Sequence, residues 1–324
     1  MSDPIPNFTP PPNKPDQIRC PLTLKRLDQI PKLSDEHIIH EAIGGPRWYS
    51  VKADADENSR FGSGADSRFL NSIVVKAWRI HHAILGKAEQ ELSLRLPGTV
   101  KGTDQKIEVT LKKGSIDVDY VPRVVRDRET GKGKITVSKD RLDAELARVT
   151  KDFAKKGLRL TVTGETSDGQ PELVIPFSVE AAPIFAGVLK MLYLTGFYFL
   201  GNSFLDDPLN PAWLRAIKGE TMEALIGSGI RFREADSGGE PCPLEPSQHC
   251  ILIINAGSRG HWASAHLFGG QIGIVAQLSA KGHFGIPESM LRMVICEAKE
   301  SSARGIDIPN FDLAAFRLPA SPSF

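Results

Sequence analysis

The sequence predicts an α+β protein, with a short strand–turn–strand–helix module near the N-terminus and a larger mixed α+β domain after it. Three observations carry this. The Gly44-Gly45-Pro46 break separates two short strand-like segments, and Phe69, Ile73, Ala77, Ile80 and Ile84 then recur at helical steps of three and four. Beyond Leu96-Pro97-Gly98 the chain turns to short alternating or β-branched runs. A twenty-residue apolar run from Ala181 to Leu200 then precedes a final strand-rich region. The expected boundaries are a Pro-rich tail over 1–17, a hairpin–helix module over 18–96 and a C-terminal α+β region over 97–324.

Taken in order, residues 1–15 hold six prolines and no apolar period, which predicts a disordered or extended tail. Cys20 to Gly45 reads as short strands and turns, and Trp48 to Val51 as a returning strand. The helix that follows carries the Phe69–Ile84 stripe and stops near Gly86. Lys106–Leu111 and Ser115–Val121 read as strands. Val124–Val125 and Lys134–Val137 flank an Arg-Asp-Arg-Glu-Thr-Gly-Lys-Gly turn, a hairpin. Ser138 can cap a helix whose buried stripe is Leu142, Leu146, Val149 and Phe153, ended by Gly157. Arg159–Val162 and Glu172–Phe177 read as strands, and Cys250–Asn255, His266–Gly269 and Gly273–Leu278 as a further sheet.

Charge is balanced overall and segregated locally. With 40 Lys+Arg against 39 Asp+Glu the chain is no polycation. Residues 101–160 hold 16 basic and 10 acidic residues, while 161–324 hold 11 and 17, so any phosphate-facing surface draws first on the middle block. Cys20, Cys242, Cys250 and Cys296 make neither a disulfide framework nor paired C-x-x-C zinc motifs. There is no basic segment leading into an apolar core at the N-terminus, hence no expected signal peptide. The apolar run contains Pro183 and Lys190, and a mid-span lysine is costly in lipid. A buried core helix in a reduced, cytoplasmic protein without membrane contact is expected.

The chemistry-bearing stretch is Ser34-Asp35-Glu36-His37-Ile38-Ile39-His40-Glu41-Ala42-Ile43-Gly44-Gly45, followed by Asn58-Ser59-Arg60-Phe61-Gly62-Ser63 and Asp66. An acid beside a histidine ends a strand, and an asparagine opens a helix about twenty residues on. Neighbours on a strand face opposite sides, so Glu36 and His37 need a twist or bulge to converge. With Asn58 they would supply two oxygen ligands and a base, a set suited to a hard divalent cation.

These two linked segments resemble the HNH endonuclease family, in the branch with the pattern EHIIPxxLGG followed by CxxCNxxFGSxxD. The resemblance covers about a fifth of the chain, roughly residues 20–86, and implies a ββα-metal module. It implies a metal-dependent endonuclease that hydrolyses DNA phosphodiesters, with His37 as general base and one Mg²⁺ (or Mn²⁺) held by Glu36 and Asn58. Arg60, just inside the helix, would touch a phosphate oxygen. The branch staples its hairpin with four zinc cysteines, but here only Cys20 remains, with Thr23, Asp54 and Glu57 at the other positions, so structural zinc is not expected. A mixed site from Cys20, His40, Asp54 and Glu57 is the remaining alternative, and His40 stands where the branch has proline. The second reading is a catalytically inactive HNH-fold protein that binds nucleic acid or a protein partner.

The densest basic cluster is the hairpin bearing Arg123, Arg126, Arg128, Lys132 and Lys134, and it is expected to hold the flanks of a DNA duplex on the same face as Glu36 and His37. A merely solvated hairpin is the bland alternative. His81-His82, Trp213–Gly219 and the His261-Trp262/His266 region read as structural. Target sequence, DNA against RNA, and oligomeric state are not encoded in any recognisable feature.

Overall fold

The computed structural model describes residues 7–8, 16–85, 91–126, 133–155, 172–235, 244–281, 286–288 and 290–308. Helices and antiparallel sheets both contribute, and the fold is α+β as the sequence predicts. Two compact units are present: residues 1–91 with 179–324, and residues 92–178.

The first unit opens with β1 (Asn7–Phe8), which pairs with Ile306 and Gly305. Part of the tail expected to be disordered or extended is thus an extended edge strand, since backbone pairing needs no apolar period. β2 (Leu33–His37) and β3 (Ser50–Asp54) form an antiparallel hairpin across the Gly44-Gly45 turn. α1 (Ala55–Phe61) starts immediately after β3, capped by Asp54, whose carboxylate accepts from the amides of Asp56 and Glu57 at 3.0 and 3.3 Å. The Phe69–Ile84 stripe is split into α2 (Ser67–Asn71) and α3 (Ile73–His82). The break is at Ser72, where the backbone becomes extended (ψ 140°) and the hydroxyl donates to the Phe69 carbonyl. α3 ends in left-handed Ala83 (φ 55°), before Gly86, which lies outside the described residues.

The second unit contains β4 (Leu94–Val100), β5 (Lys106–Lys112), β6 (Ser115–Tyr120), the hairpin β7 (Arg123–Arg126) and β8 (Gly133–Thr136), α4 (Leu142–Ala154) and β9 (Leu173–Val174). The sheet order is β6-β5-β4-β9, with every pairing antiparallel. Ser138 directly precedes a 3₁₀ turn, Lys139–Arg141, that leads into α4; its carbonyl accepts from the Arg141 amide at 3.0 Å, and its hydroxyl accepts from the Tyr120 amide at 2.8 Å, which ties the chain to β6. Gly157 and Arg159–Val162 lie outside the described residues.

The first unit resumes with α5 (Ala181–Leu200), α6 (Asn210–Ile217) and α7 (Met222–Ile226). It ends with β10 (Phe232–Glu234), β11 (Gln248–Asn255), β12 (His261–Leu267), β13 (Ile272–Gln277), β14 (Leu291–Glu297) and β15 (Ser302–Ile308). Seven strands form one antiparallel sheet in the order β1-β15-β14-β11-β12-β13-β10. Strand alternation divides its apolar side chains between two cores. Ile251, Ile253, Ala263, Ala265, Val294 and Cys296 face the α5 side, whereas Cys250, Leu252, Ile254, Trp262, Met293 and Ile295 face the other. α5 is long and apolar enough to cross a membrane, yet 89% of its most apolar window is buried inside the protein.

The N-terminal hairpin is built onto this core. Gly187 on α5 lies directly against the Phe69 ring of α2, where a side chain would collide. Tyr193 donates to the Pro21 carbonyl at 2.6 Å. The Ile43 carbonyl is met by His249 Nε2 at 2.6 Å, and the Cys296 thiol donates to the Gly44 carbonyl at 3.4 Å. The expected split of the chain at 96/97 thus differs from the units found. Residues 18–91 share a core with 179–324, and it is 92–178 that stands as a separate unit.

Candidate functional site

β2 and β3 pair without a bulge, from Leu33↔Asp54 to His37↔Ser50. Side chains therefore alternate strictly. Ser34 and Glu36 lie on the side covered by α1; Asp35 and His37 lie on the other, where Asp35 pairs with Lys52 at 2.6 Å. From α1, the Asn58 amide donates to Ser34 Oγ at 2.9 Å and to the Asp35 carbonyl at 3.2 Å, which fixes the helix to the strand. Glu36 and Asn58 are thus brought to one side of β2. His37 is not brought to it, because the bulge that convergence requires is absent.

Glu36 is 5% exposed, and its carboxylate faces Lys190 of α5 at 2.8 Å. Lys190, 4% exposed, is also 2.7 Å from Asp66 Oδ2, at the end of the π-helical segment Gly62–Asp66 that joins α1 to α2. The ammonium lies over the Phe61 ring, 4.7 Å from its centre. Burial opposes the charge on Lys190, but two carboxylates outweigh it and hold the amine above its ordinary value. One cation cannot neutralise two anions. Burial, with Asp66 adding to it against the pull of Lys190, pushes Glu36 up to about 7.

On the other side of β2, His37 Nε2 is 3.4 Å from Glu41 Oε1, and Arg47 Nε reaches the same oxygen at 2.7 Å. His37 is partly exposed and Arg47 largely so. Burial holds the His37 imidazole below its ordinary value, with Glu41 and Asp35 acting in the opposite sense, so the ring is neutral at pH 7. A carboxylate facing Nε2 favours the proton there and leaves the Nδ1 lone pair as the basic one. His40 is a capping residue. Its Nδ1 accepts from the Ala42 amide at 3.0 Å and closes the turn over Glu41–Ile43.

Three of the four positions aligned with the zinc cysteines, Cys20, Asp54 and Glu57, are occupied by other bonds. The Asp54 amide donates to Cys20 Sγ at 3.4 Å, Asp54 caps α1, and Glu57 pairs with Lys218 at 2.9 Å and with Arg60 at 3.1 Å. Among the described residues no group of three or more His, Cys, Asp or Glu side chains is arranged to hold a metal ion. Glu36 and Asn58 do not fit the expected Mg²⁺ as arranged. A protein ammonium sits at the Glu36 carboxylate, and a second cation beside it would be repelled.

Of the expected DNA-contacting residues, Arg60 is exposed but paired with Glu57, and Arg123 is paired with Asp104. Arg126 and Lys134 belong to β7 and β8 in the second unit, and Arg128 and Lys132 lie outside the described residues. Sequence reasoning assigned no role to Glu41, Arg47, Asp66 or Lys190. Lys190 carried a signal, as the one charge in an apolar helix: such a charge needs a buried anion.

No family model, curated protein or solved structure matches the chain.

Proposed function

We propose that residues 20–86 form an HNH-type module that hydrolyses nucleic-acid phosphodiesters, with His37 as general base. The observation that supports this reading is the partly exposed His37, faced by Glu41 at 3.4 Å, at the end of a strand that Asn58 locks to the following helix. In this reading His37 takes a proton from the attacking water, Glu41 steadies the imidazolium that forms, and the Arg47 guanidinium is available to the phosphate oxygens. No step is assigned to Glu36, whose carboxylate is engaged with Lys190.

The test is relaxation of supercoiled plasmid in buffer containing Mg²⁺, with wild type and His37→Ala in parallel. Loss of a general base is expected to slow cleavage by about 10²–10⁴-fold. Equal rates for the two proteins would remove His37 from the chemistry.

One observation favours the second reading, a catalytically inactive HNH-fold protein that binds nucleic acid or a protein: the Lys190 ammonium at Glu36. In that case the plasmid stays supercoiled with both proteins.

A further inference from the structure

We infer that Lys190 is the resident cation of the hairpin–helix unit, an ammonium built into the chain at a position that would otherwise attract a divalent ion. The inference rests on ion-pair geometry alone and is independent of whether His37 hydrolyses anything. Three elements far apart in sequence meet at the ammonium. Glu36 comes from β2, Asp66 from the end of the π-helical segment between α1 and α2, and Lys190 from the middle of α5. The nitrogen is 2.8 and 2.7 Å from the two carboxylates, and all three residues are less than a tenth exposed.

A charge is almost never fully buried without a partner, and neither carboxylate has another ion pair among the described residues. The lysine therefore offsets one of the two negative charges that the acids alone would carry. Its reach is also fixed by packing. Gly187, three residues before Lys190, lets α5 come against Phe69, and Phe61 forms the floor beneath the ammonium. Ca²⁺ binds oxygens at about 2.3–2.6 Å and Mg²⁺ at about 2.0–2.1 Å. Of the two, Ca²⁺ spans a gap closest to the one the ammonium fills.

The consequence is a protein that binds no divalent ion at Glu36 while Lys190 is present, and that acquires such a site when it is removed. The experiment is calorimetric titration of the full-length protein with Ca²⁺ and, separately, Mg²⁺. Four proteins are compared: wild type, Glu36→Gln, Lys190→Met and the Lys190→Met/Glu36→Gln double variant. Wild type and Glu36→Gln are expected to give the same result, with no ion lost on changing Glu36. Lys190→Met is expected to gain one Ca²⁺ that the double variant lacks, at least tenfold tighter than any residual binding.

A divalent ion bound by wild type and lost in Glu36→Gln would overturn the inference. So would a folded Lys190→Met that remains indifferent to both ions. If Lys190→Met does not fold, the wild-type and Glu36→Gln titrations decide by themselves.

Discussion

Gly44→Ala is expected to destabilise the protein by about 3–5 kcal/mol, a large fraction of the roughly 5–15 kcal/mol that holds an ordinary domain folded. Two independent costs combine. Gly44 has φ +90°, in the left-handed region that side chains disfavour by roughly 1–2 kcal/mol. A methyl there would also land on the backbone of Ala298, just beyond β14, which cannot move aside as a flexible side-chain end could. The turn is held at that distance because its carbonyls are taken up by His249 and Cys296. Urea unfolding of Gly44→Ala against Gly62→Ala gives the contrast, since a side chain at Gly62 meets open space. Equal midpoints for the two variants would show that the turn is not docked on the sheet.

The second large effect is acid sensitivity through His249. Its ring is wholly buried and bridges two backbones, with Nδ1 accepting from the Phe268 amide at 3.0 Å and Nε2 donating to the Ile43 carbonyl. Protonating Nδ1 would set one N–H against another and place a charge in a wholly buried site. Burial, with His82 in the same sense and the Ile43 bond against it, pushes His249 down to about 4.

A depressed histidine is neutral in the fold and takes up its proton on unfolding. The unfolded state therefore binds more protons between about pH 6.5 and pH 4, and stability falls as pH falls through that window. The loss from this group comes to about 2 kcal/mol at pH 5 and about 3 kcal/mol at pH 4, relative to neutral pH. His249→Gln lowers stability at neutral pH but removes this slope. Denaturation curves across the window should be flatter for the variant by that amount, and an unchanged slope would place the acid sensitivity elsewhere.

What could be read from the sequence was local, and what could not be read was long-range. The Gly44-Gly45 turn, the two strands around it and the α5 helix follow from punctuation and periodicity within a few residues. The partners of the site do not. Lys190 meets Asp66 across 124 positions, and His249 meets Ile43 across 206. Neither pairing has a spacing signal.

The facing of Glu36 and His37 was legible in principle. Period two sends neighbours to opposite sides, and only the expectation of a bulge brought them together. Lys190 was legible in half: its cost in lipid was plain, and the same cost in a protein core calls for an anion. In the segment Trp213–Gly219, Trp213 is fully buried and its indole N–H donates to the Leu278 carbonyl at 2.9 Å.

The most direct test of the division between the two sides of β2 is single-turnover cleavage of a labelled DNA duplex by wild type, His37→Ala and Glu36→Gln, each confirmed folded. If the chemistry belongs to His37 and Glu36 serves the buried Lys190 pair, His37→Ala loses at least about 10²-fold while Glu36→Gln stays within about tenfold of wild type. A folded Glu36→Gln protein as inactive as His37→Ala would contradict this and return Glu36 to the reacting centre.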